Sequence, residues 1–89
     1  MRKVVLSTRF RRDLKQSLRR GLKREKLDIV VDEIAKNGAP QPSRRPHPLG
    51  GLWTGSMECH IGFDWLLIYQ VDREEVRLYR TGTHSDLFK

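Results

Sequence analysis

Apolar residues in the first half of the chain recur at helical spacing. Phe10, Leu14 and Leu18 lie four residues apart with basic residues between them, which predicts an amphipathic helix of about three turns that begins after a Ser-Thr cap. The same kind of spacing continues over 25–37, and this segment ends at an Asn-Gly pair, a common helix stop. A short apolar run over 3–7 predicts a strand before the first helix. The two helices are therefore expected to form a hairpin that packs on a sheet.

The second half of the chain has the apolar runs of β-strands. Residues 65–71 form the most hydrophobic run and predict a central strand. Shorter runs over 52–54 and 57–61 and an alternating run over 76–81 predict three further strands, and the short connections between them favour antiparallel pairing. The order β-α-α-β-β-β(-β) predicts an α+β fold in which an antiparallel sheet packs on the N-terminal helical hairpin. Residues 1–89 are expected to form a single domain.

A proline-rich segment separates the two halves. Residues 38–51 contain all four prolines of the chain and predict a loop, which is close to the greatest length expected in a compact domain. Long loops in small domains often carry function, although a simple crossing between elements is the alternative.

The charge of the chain is concentrated in its first half. The net charge is +7, and residues 1–45 contain 14 Lys and Arg against 5 Asp and Glu, whereas residues 46–89 contain 4 against 6. A basic surface of this kind favours contact with a polyanion such as RNA or DNA. A solvated basic face, or a surface for an acidic protein partner, would have the same composition.

Composition also argues against several classes of protein. Cys59 is the one cysteine, so no disulfide can form within the chain, which is typical of the reducing cytosol. The N-terminal residues lack the apolar core of a signal peptide. No segment approaches the roughly 20 apolar residues that span a bilayer. We therefore expect a cytoplasmic protein that makes no membrane contact.

Three histidines and one aspartate are the candidates for catalysis. His47, His60 and His84 lie in the loop or near strand ends, and Asp64 lies across a tight connection from His60, where it is expected to orient the imidazole. An imidazole gives and takes protons near neutral pH because its ordinary pKa is about 6.5. Metal-free RNA cleavage needs a base for the 2′-OH, an acid for the leaving 5′ oxygen and positive charge near the phosphate. These four residues are therefore the predicted catalytic set.

Three other side chains are candidates for RNA contact. Arg80 is a candidate phosphate ligand, and Trp65 and Phe88 are candidates for base stacking. A structural role for Arg80 and core positions for the aromatic residues are the alternatives. A metal site that includes Cys59 and His60 is disfavoured because adjacent strand residues face opposite sides of a sheet. We therefore expect no metal and no cofactor.

Several strings in the second half resemble the YafQ-type branch of the RelE/ParE superfamily of bacterial toxins. Their order and spacing match the family closely, whereas the first half matches only in its layout of a strand and two basic helices. The strings are His47-Pro48-Leu49, Gly50-Gly51-Leu52-Trp53-Thr54-Gly55, His60, Asp64-Trp65-Leu66-Leu67-Ile68-Tyr69 and Arg80-Thr81-Gly82-Thr83-His84-Ser85-Asp86-Leu87-Phe88.

The resemblance implies a RelE-like, microbial-RNase-like α+β fold and a toxin of a type II toxin-antitoxin system. The implied activity is that of an endoribonuclease, or mRNA interferase, which inhibits translation by cleaving mRNA in the ribosomal A site. The implied partners are a cognate antitoxin and the 70S ribosome with its message. The basic helices would hold ribosomal RNA, and DNA would be contacted only indirectly, through the antitoxin.

The resemblance also carries over His47, His60, Asp64 and His84 as the catalytic set, with Phe88 near it. We expect His84 to be the general acid, Asp64 or an Asp64-supported His60 to be the base, and His47 to bind the phosphate. Two alternatives use the same fold without RNA cleavage: a ParE-like toxin that acts on DNA gyrase, and a corepressor that only binds the antitoxin. The presence of all four residues together favours the nuclease.

Overall fold

The computed structural model describes residues 1–88 as five strands in one sheet, two long helices and a short C-terminal helix. Two turns of 3-10 helix, over Pro42–Arg44 and Gly51–Trp53, lie in the segment between the long helices and the main strands. In chain order the elements are β1 (Lys3–Leu6), α1 (Thr8–Arg19), α2 (Arg24–Asn37), β2 (His47–Pro48), β3 (Met57–Gly62), β4 (Trp65–Val71), β5 (Glu75–Gly82) and α3 (His84–Phe88).

The strand order in the sheet is β1-β5-β4-β3-β2. The pairs β2–β3, β3–β4 and β4–β5 are antiparallel, whereas β1 lies parallel to β5. The α+β class is confirmed. The predicted antiparallel pairing holds for three of the four strand pairs within residues 1–88, and the sheet is mixed because no short connection joins β1 to β5. The strand predicted over 52–54 is also wrong, since 3-10 helix covers most of it, and the two-residue strand β2 lies in the predicted loop.

Strand β4 lies at the centre of the sheet and is buried on both faces. On one face its side chains pack with those of α1 and α2, where Phe10, Val30 and Ile34 are at most 1% exposed. On the other face Leu66 and Ile68 pack with residues of α3 and of the segment before β3. The members of this second cluster are Leu66, Ile68, Leu87, Leu49, Trp53 and Tyr79. The short helix α3 is therefore held against the sheet next to the β3–β4 hairpin.

Helix α1 covers the edge of β5 beyond the end of β1. Ser7 caps the helix by accepting a hydrogen bond from the Phe10 N–H, and its own hydroxyl lies 3.0 Å from a β5 carbonyl. One turn further on, the buried carboxylate of Asp13 accepts the backbone N–H of Thr81 at 3.2 Å and the Arg80 guanidinium at 2.6 Å. A side chain of α1 thus replaces a neighbouring strand for this part of β5, which leads directly into α3.

Within residues 1–88, none of the helices has the length and apolar composition that crossing a membrane requires.

Candidate active site

A groove of about 630 Å³ runs between the β3–β4 hairpin and the proline-rich segment. It brings together three of the four predicted catalytic residues, His60, Asp64 and His84. The residues that line it are Ser43, Arg44, Arg45, His60, Ile61, Gly62, Phe63, Asp64 and His84. His47 lies outside this lining set, although it neighbours the groove through β3.

Asp64 and His84 form a hydrogen-bonded pair in the groove. Asp64 Oδ1 accepts the backbone N–H of His84 at 2.9 Å and lies 2.7 Å from His84 Nδ1. The backbone N–H bond and then the imidazole bond from His84 hold the pKa of Asp64 below its usual range, so the carboxylate is ionised and accepts. Nδ1 of His84 therefore carries the hydrogen, and Nε2 is the ring nitrogen that remains for proton exchange with a substrate.

This pairing corrects one prediction from the sequence. Asp64 was expected to support His60 across the hairpin turn, but its hydrogen-bond partner is His84. Asp64 has φ of 48°, a left-handed conformation that aspartate tolerates better than most residues. The turn thereby directs the carboxylate toward the start of α3, where His84 lies.

The second imidazole of the groove stands close to the first. The ring centroids of His60 and His84 are 6.3 Å apart, and the Phe88 ring lies 6.5 Å from that of His84. Two imidazoles at this separation can reach different oxygens of one phosphodiester, as an acid and a base must. Phe88 is 45% exposed, so its position agrees with the prediction that it lies near the site, and its role in RNA binding stays a prediction.

His47 is held by a carboxylate that the sequence analysis missed. His47 Nε2 lies 3.2 Å from Glu58 Oε1, and Nδ1 lies 2.9 Å from the Arg45 carbonyl oxygen. Glu58 is 5% exposed, and its Oε2 is the one buried side-chain oxygen or nitrogen among the described residues that has no hydrogen-bond partner. Such an atom is costly and is often retained for function. Its signal in the sequence is its place two residues before His60, on the same face of β3.

Two residues predicted to contact RNA have structural roles instead. Trp65 is 2% exposed and its indole N–H donates to Thr81 Oγ1 at 2.8 Å, so the prediction that it stacks on a base is wrong. The Arg80 guanidinium, whose side chain is 14% exposed, is bound by Asp13. This ion pair supports the structural alternative for Arg80 rather than the phosphate contact.

The arginines that do line the groove come from the proline-rich segment. Arg44 donates to Glu33 at 2.8 and 3.1 Å, and this ion pair raises the pKa of Arg44 and lowers the pKa of Glu33. Arg45 is exposed and forms no ion pair with any residue in the part of the chain described. Arg45 is therefore the groove cation that is available to a bound anion.

Two observations concern the metal site with Cys59 and His60 that the sequence disfavoured. Burial raises the pKa of the Cys59 thiol to about 12, so this side chain is a poor source of a thiolate ligand. Among residues 1–88, no three His, Cys, Asp or Glu side chains are grouped as metal ligands would be.

Over almost its whole length the chain matches a class of small bacterial toxins. The family model for the bacterial toxin of type II toxin-antitoxin system, YafQ, matches residues 2–89. The chain therefore belongs to the YafQ family of type II toxins, which confirms the resemblance seen in the sequence.

Individual relatives agree with this assignment. The chain is 34% identical to the mRNA interferase toxin YafQ of Escherichia coli strain K12 over 98% of its own length and 96% of that protein. The toxin in the crystal structure of the E. coli DinJ-YafQ toxin-antitoxin complex has a TM-score of 0.87 and 34% identity, with 99% and 98% of the two chains covered. A metal-bound toxin from Helicobacter pylori has a TM-score of 0.88 and 34% identity, with 99% and 100% covered.

Proposed function

We propose that this chain is an endoribonuclease that cleaves mRNA in the A site of the 70S ribosome and thereby inhibits translation. The observation that carries the proposal is the Asp64–His84 pair facing His60 across a groove with an available arginine. Membership of the YafQ family, whose E. coli members are named mRNA interferase toxins, supports the same activity. Residues 1–89 act in this proposal as a single toxin domain.

The reaction is attack of a ribose 2′-OH on the adjacent phosphate. The bond from the 2′ oxygen to phosphorus forms, the bond from phosphorus to the 5′ oxygen breaks, and the products carry a 2′,3′-cyclic phosphate and a 5′-OH. His60 is the base that takes the 2′ proton. His84 is the acid that protonates the leaving oxygen through Nε2, because Asp64 occupies its Nδ1. No metal takes part in these proton transfers.

Positive charge near the phosphate comes from Arg45, and His47 lies next to the segment that carries it. His47 Nε2 lies 3.2 Å from Glu58 Oε1, and its Nδ1 lies 2.9 Å from the Arg45 carbonyl oxygen. These two contacts hold the imidazole against the segment that carries Arg45. Both ring nitrogens of His47 already have partners, so Arg45 is the donor that is available to stabilise the additional negative charge of the transition state.

The basic surface of α1 is the proposed contact with ribosomal RNA. Four of its cations, Arg11, Arg12, Lys15 and Arg19, form no ion pair within the described part of the chain. Such contacts are electrostatic and carry little sequence information, so docking on the ribosome rather than base readout would select the substrate.

The proposed regulator is a cognate antitoxin protein. E. coli YafQ forms a complex with the antitoxin DinJ, and an acidic antitoxin segment would complement the same basic surface. DNA would be contacted only indirectly, through the antitoxin. Action on translating ribosomes implies a cytoplasmic location.

The experiment is cleavage of a message on programmed ribosomes by protein freed from its antitoxin. We expect cleavage with a cyclic phosphate end in wild type, and a loss of about 10²- to 10⁴-fold in rate in His84→Ala, the usual contribution of a general acid. Leu52→Ala is the control, since Leu52 is an exposed apolar residue outside the groove. A message that stays intact with wild-type protein would contradict the proposal, and equal activity in His84→Ala would exclude His84 as the acid.

A further inference from the structure

Phe63 stands at the tip of the β3–β4 hairpin with its side chain in solvent. It is 102% exposed, whereas the neighbouring Trp65 is 2% exposed. Two-residue hairpin turns favour glycine, asparagine and aspartate, and Asp64 supplies the left-handed conformation of this turn. A phenyl ring adds nothing to this turn and gains no burial from the fold. The Phe63 side chain therefore contributes nothing to the stability of the fold through burial.

The position of Phe63 is fixed relative to the reacting groups. Phe63 lines the groove together with His60, Asp64 and His84. Its neighbour Asp64 is held by two hydrogen bonds to His84, so the tip of the hairpin and the start of α3 are tied together. The backbone that carries the ring is already ordered, so binding costs only the rotamer freedom of the Phe63 side chain itself.

We propose that Phe63 is a stacking platform for a nucleobase next to the scissile phosphate. The inference rests on the proposed ribonuclease function. A phosphate held between His60 and His84 leaves the attached nucleoside beside the hairpin tip, where a flat apolar surface is available. Stacking there removes the ring from water and accepts any base, since every base has a π-face. Phe63 would therefore set how the message is positioned without reading its sequence.

The alternative to a nucleobase is that a side chain of a protein partner contacts the Phe63 ring. The surroundings favour RNA, because Phe63 lines the groove together with two histidines and Arg45, and the cleft on its other side contains Lys23 and Lys26. The other exposed apolar side chain of comparable exposure, Leu52 at 103%, lines no part of the groove. An antitoxin contact at Phe63 is therefore an outcome of the test and not the proposal.

The kinetic test compares Phe63→Ala, Phe63→Leu and Phe63→Tyr with Leu52→Ala as the matched control. Base stacking on an aromatic ring corresponds to roughly a 5- to 100-fold effect. We expect Phe63→Ala and Phe63→Leu to lower kcat/KM on programmed ribosomes by that factor, mainly through KM. Phe63→Tyr, which keeps the ring, and Leu52→Ala should stay close to wild type. Equal kcat/KM in wild type and Phe63→Ala would overturn the proposal, as would full activity in Phe63→Leu with loss in Phe63→Tyr.

A fluorescence test separates this inference from the proposed function. A message with 2-aminopurine next to the cleavage position, and with deoxyribose at the reacting nucleotide, binds without being cut. We expect quenching by wild type and by Phe63→Tyr, and none by Phe63→Ala. If wild type quenches the fluorescence, Phe63→Ala does not, and wild type cuts no message, the stacking proposal is supported and the ribonuclease proposal is rejected. Cleavage by wild type with Phe63-independent quenching, or a loss in Phe63→Ala of antitoxin affinity alone, would reject the stacking.

Discussion

Replacement of Asp13 by alanine is predicted to destabilise the protein far more than the loss of any surface ion pair. The Asp13 side chain is 8% exposed, and it is bound to Arg80, whose side chain is 14% exposed. Removing the carboxylate leaves a guanidinium buried without its counter-charge and the Thr81 N–H without an acceptor. Breaking a buried pair in this way costs about 3 to 5 kcal/mol. A chain of this length has a total stability of roughly 4 to 13 kcal/mol, so the loss is a large fraction of it.

The assay is urea unfolding of wild type, Asp13→Ala, Arg80→Met and the double variant, followed by circular dichroism. The double variant leaves no buried charge, so it should be less destabilised than the sum of the single variants by about 2 kcal/mol. It should still be less stable than wild type by about 1 to 2 kcal/mol, because the Thr81 N–H remains without a partner.

The matched control is Asp28→Ala, which removes the exposed Arg24–Asp28 pair on α2, 3.8 Å apart and more than 60% exposed on both sides. Exposed pairs of this kind contribute less than about 1 kcal/mol. If Asp13→Ala cost no more than Asp28→Ala, or if the effects of Asp13→Ala and Arg80→Met were additive, the account of a buried supporting pair would be refuted.

Two further predictions concern the other carboxylates near the site. The Arg20 guanidinium lowers the pKa of Asp86 to about 2, so this carboxylate contributes stability above its ordinary pKa and loses it as the pH falls toward 2. The melting temperature should therefore fall less between pH 4 and pH 2 in Asp86→Asn than in wild type, and parallel curves would contradict this. Glu58→Gln keeps the shape but removes the charge beside His47, and we expect about tenfold slower cleavage with unchanged or higher thermal stability. The effect of Glu58→Gln should disappear in a His47→Ala background, and a full tenfold effect there would show that Glu58 acts independently of His47.

The helices and the central strand were predictable because their signals are local. The spacing of Phe10, Leu14 and Leu18 depends only on the 3.6-residue helical period, and the structure has α1 and α2 where the patterns placed them. The parallel pairing of β1 with β5 was not predictable in this way. Its partners, such as Val4 and Val76, are separated by both helices and three strands, and no turn residue fixes the direction of such a pair.

The types of residue in the candidate site were predictable from the sequence, but the hydrogen bonds between them were not. The acid-base chemistry of a histidine or aspartate is known from the sequence alone. Which carboxylate is hydrogen-bonded to which imidazole depends on strand register and turn conformation. Asp64 therefore pairs with His84 and not with His60. Glu58 was missed because one acidic residue in an alternating strand looks solvent-facing. The continuous apolar run over 65–71 is typical of a strand buried on both faces, and Trp65 was misassigned because an indole can serve either as a core residue or as a stacking surface.

The place of β5 in the sheet has a consequence for the synthesis of this toxin. β5 lies between β1 and β4, and only α3 follows it among the described elements. During synthesis from the N-terminus, β1, both long helices and the β3–β4 hairpin emerge before β5, which is the strand that joins β1 to β4. The sheet cannot be completed before β5 is available, and the Asp64–His84 pair needs the start of α3 as well, so the groove forms only after both long helices and the β3–β4 hairpin are already present.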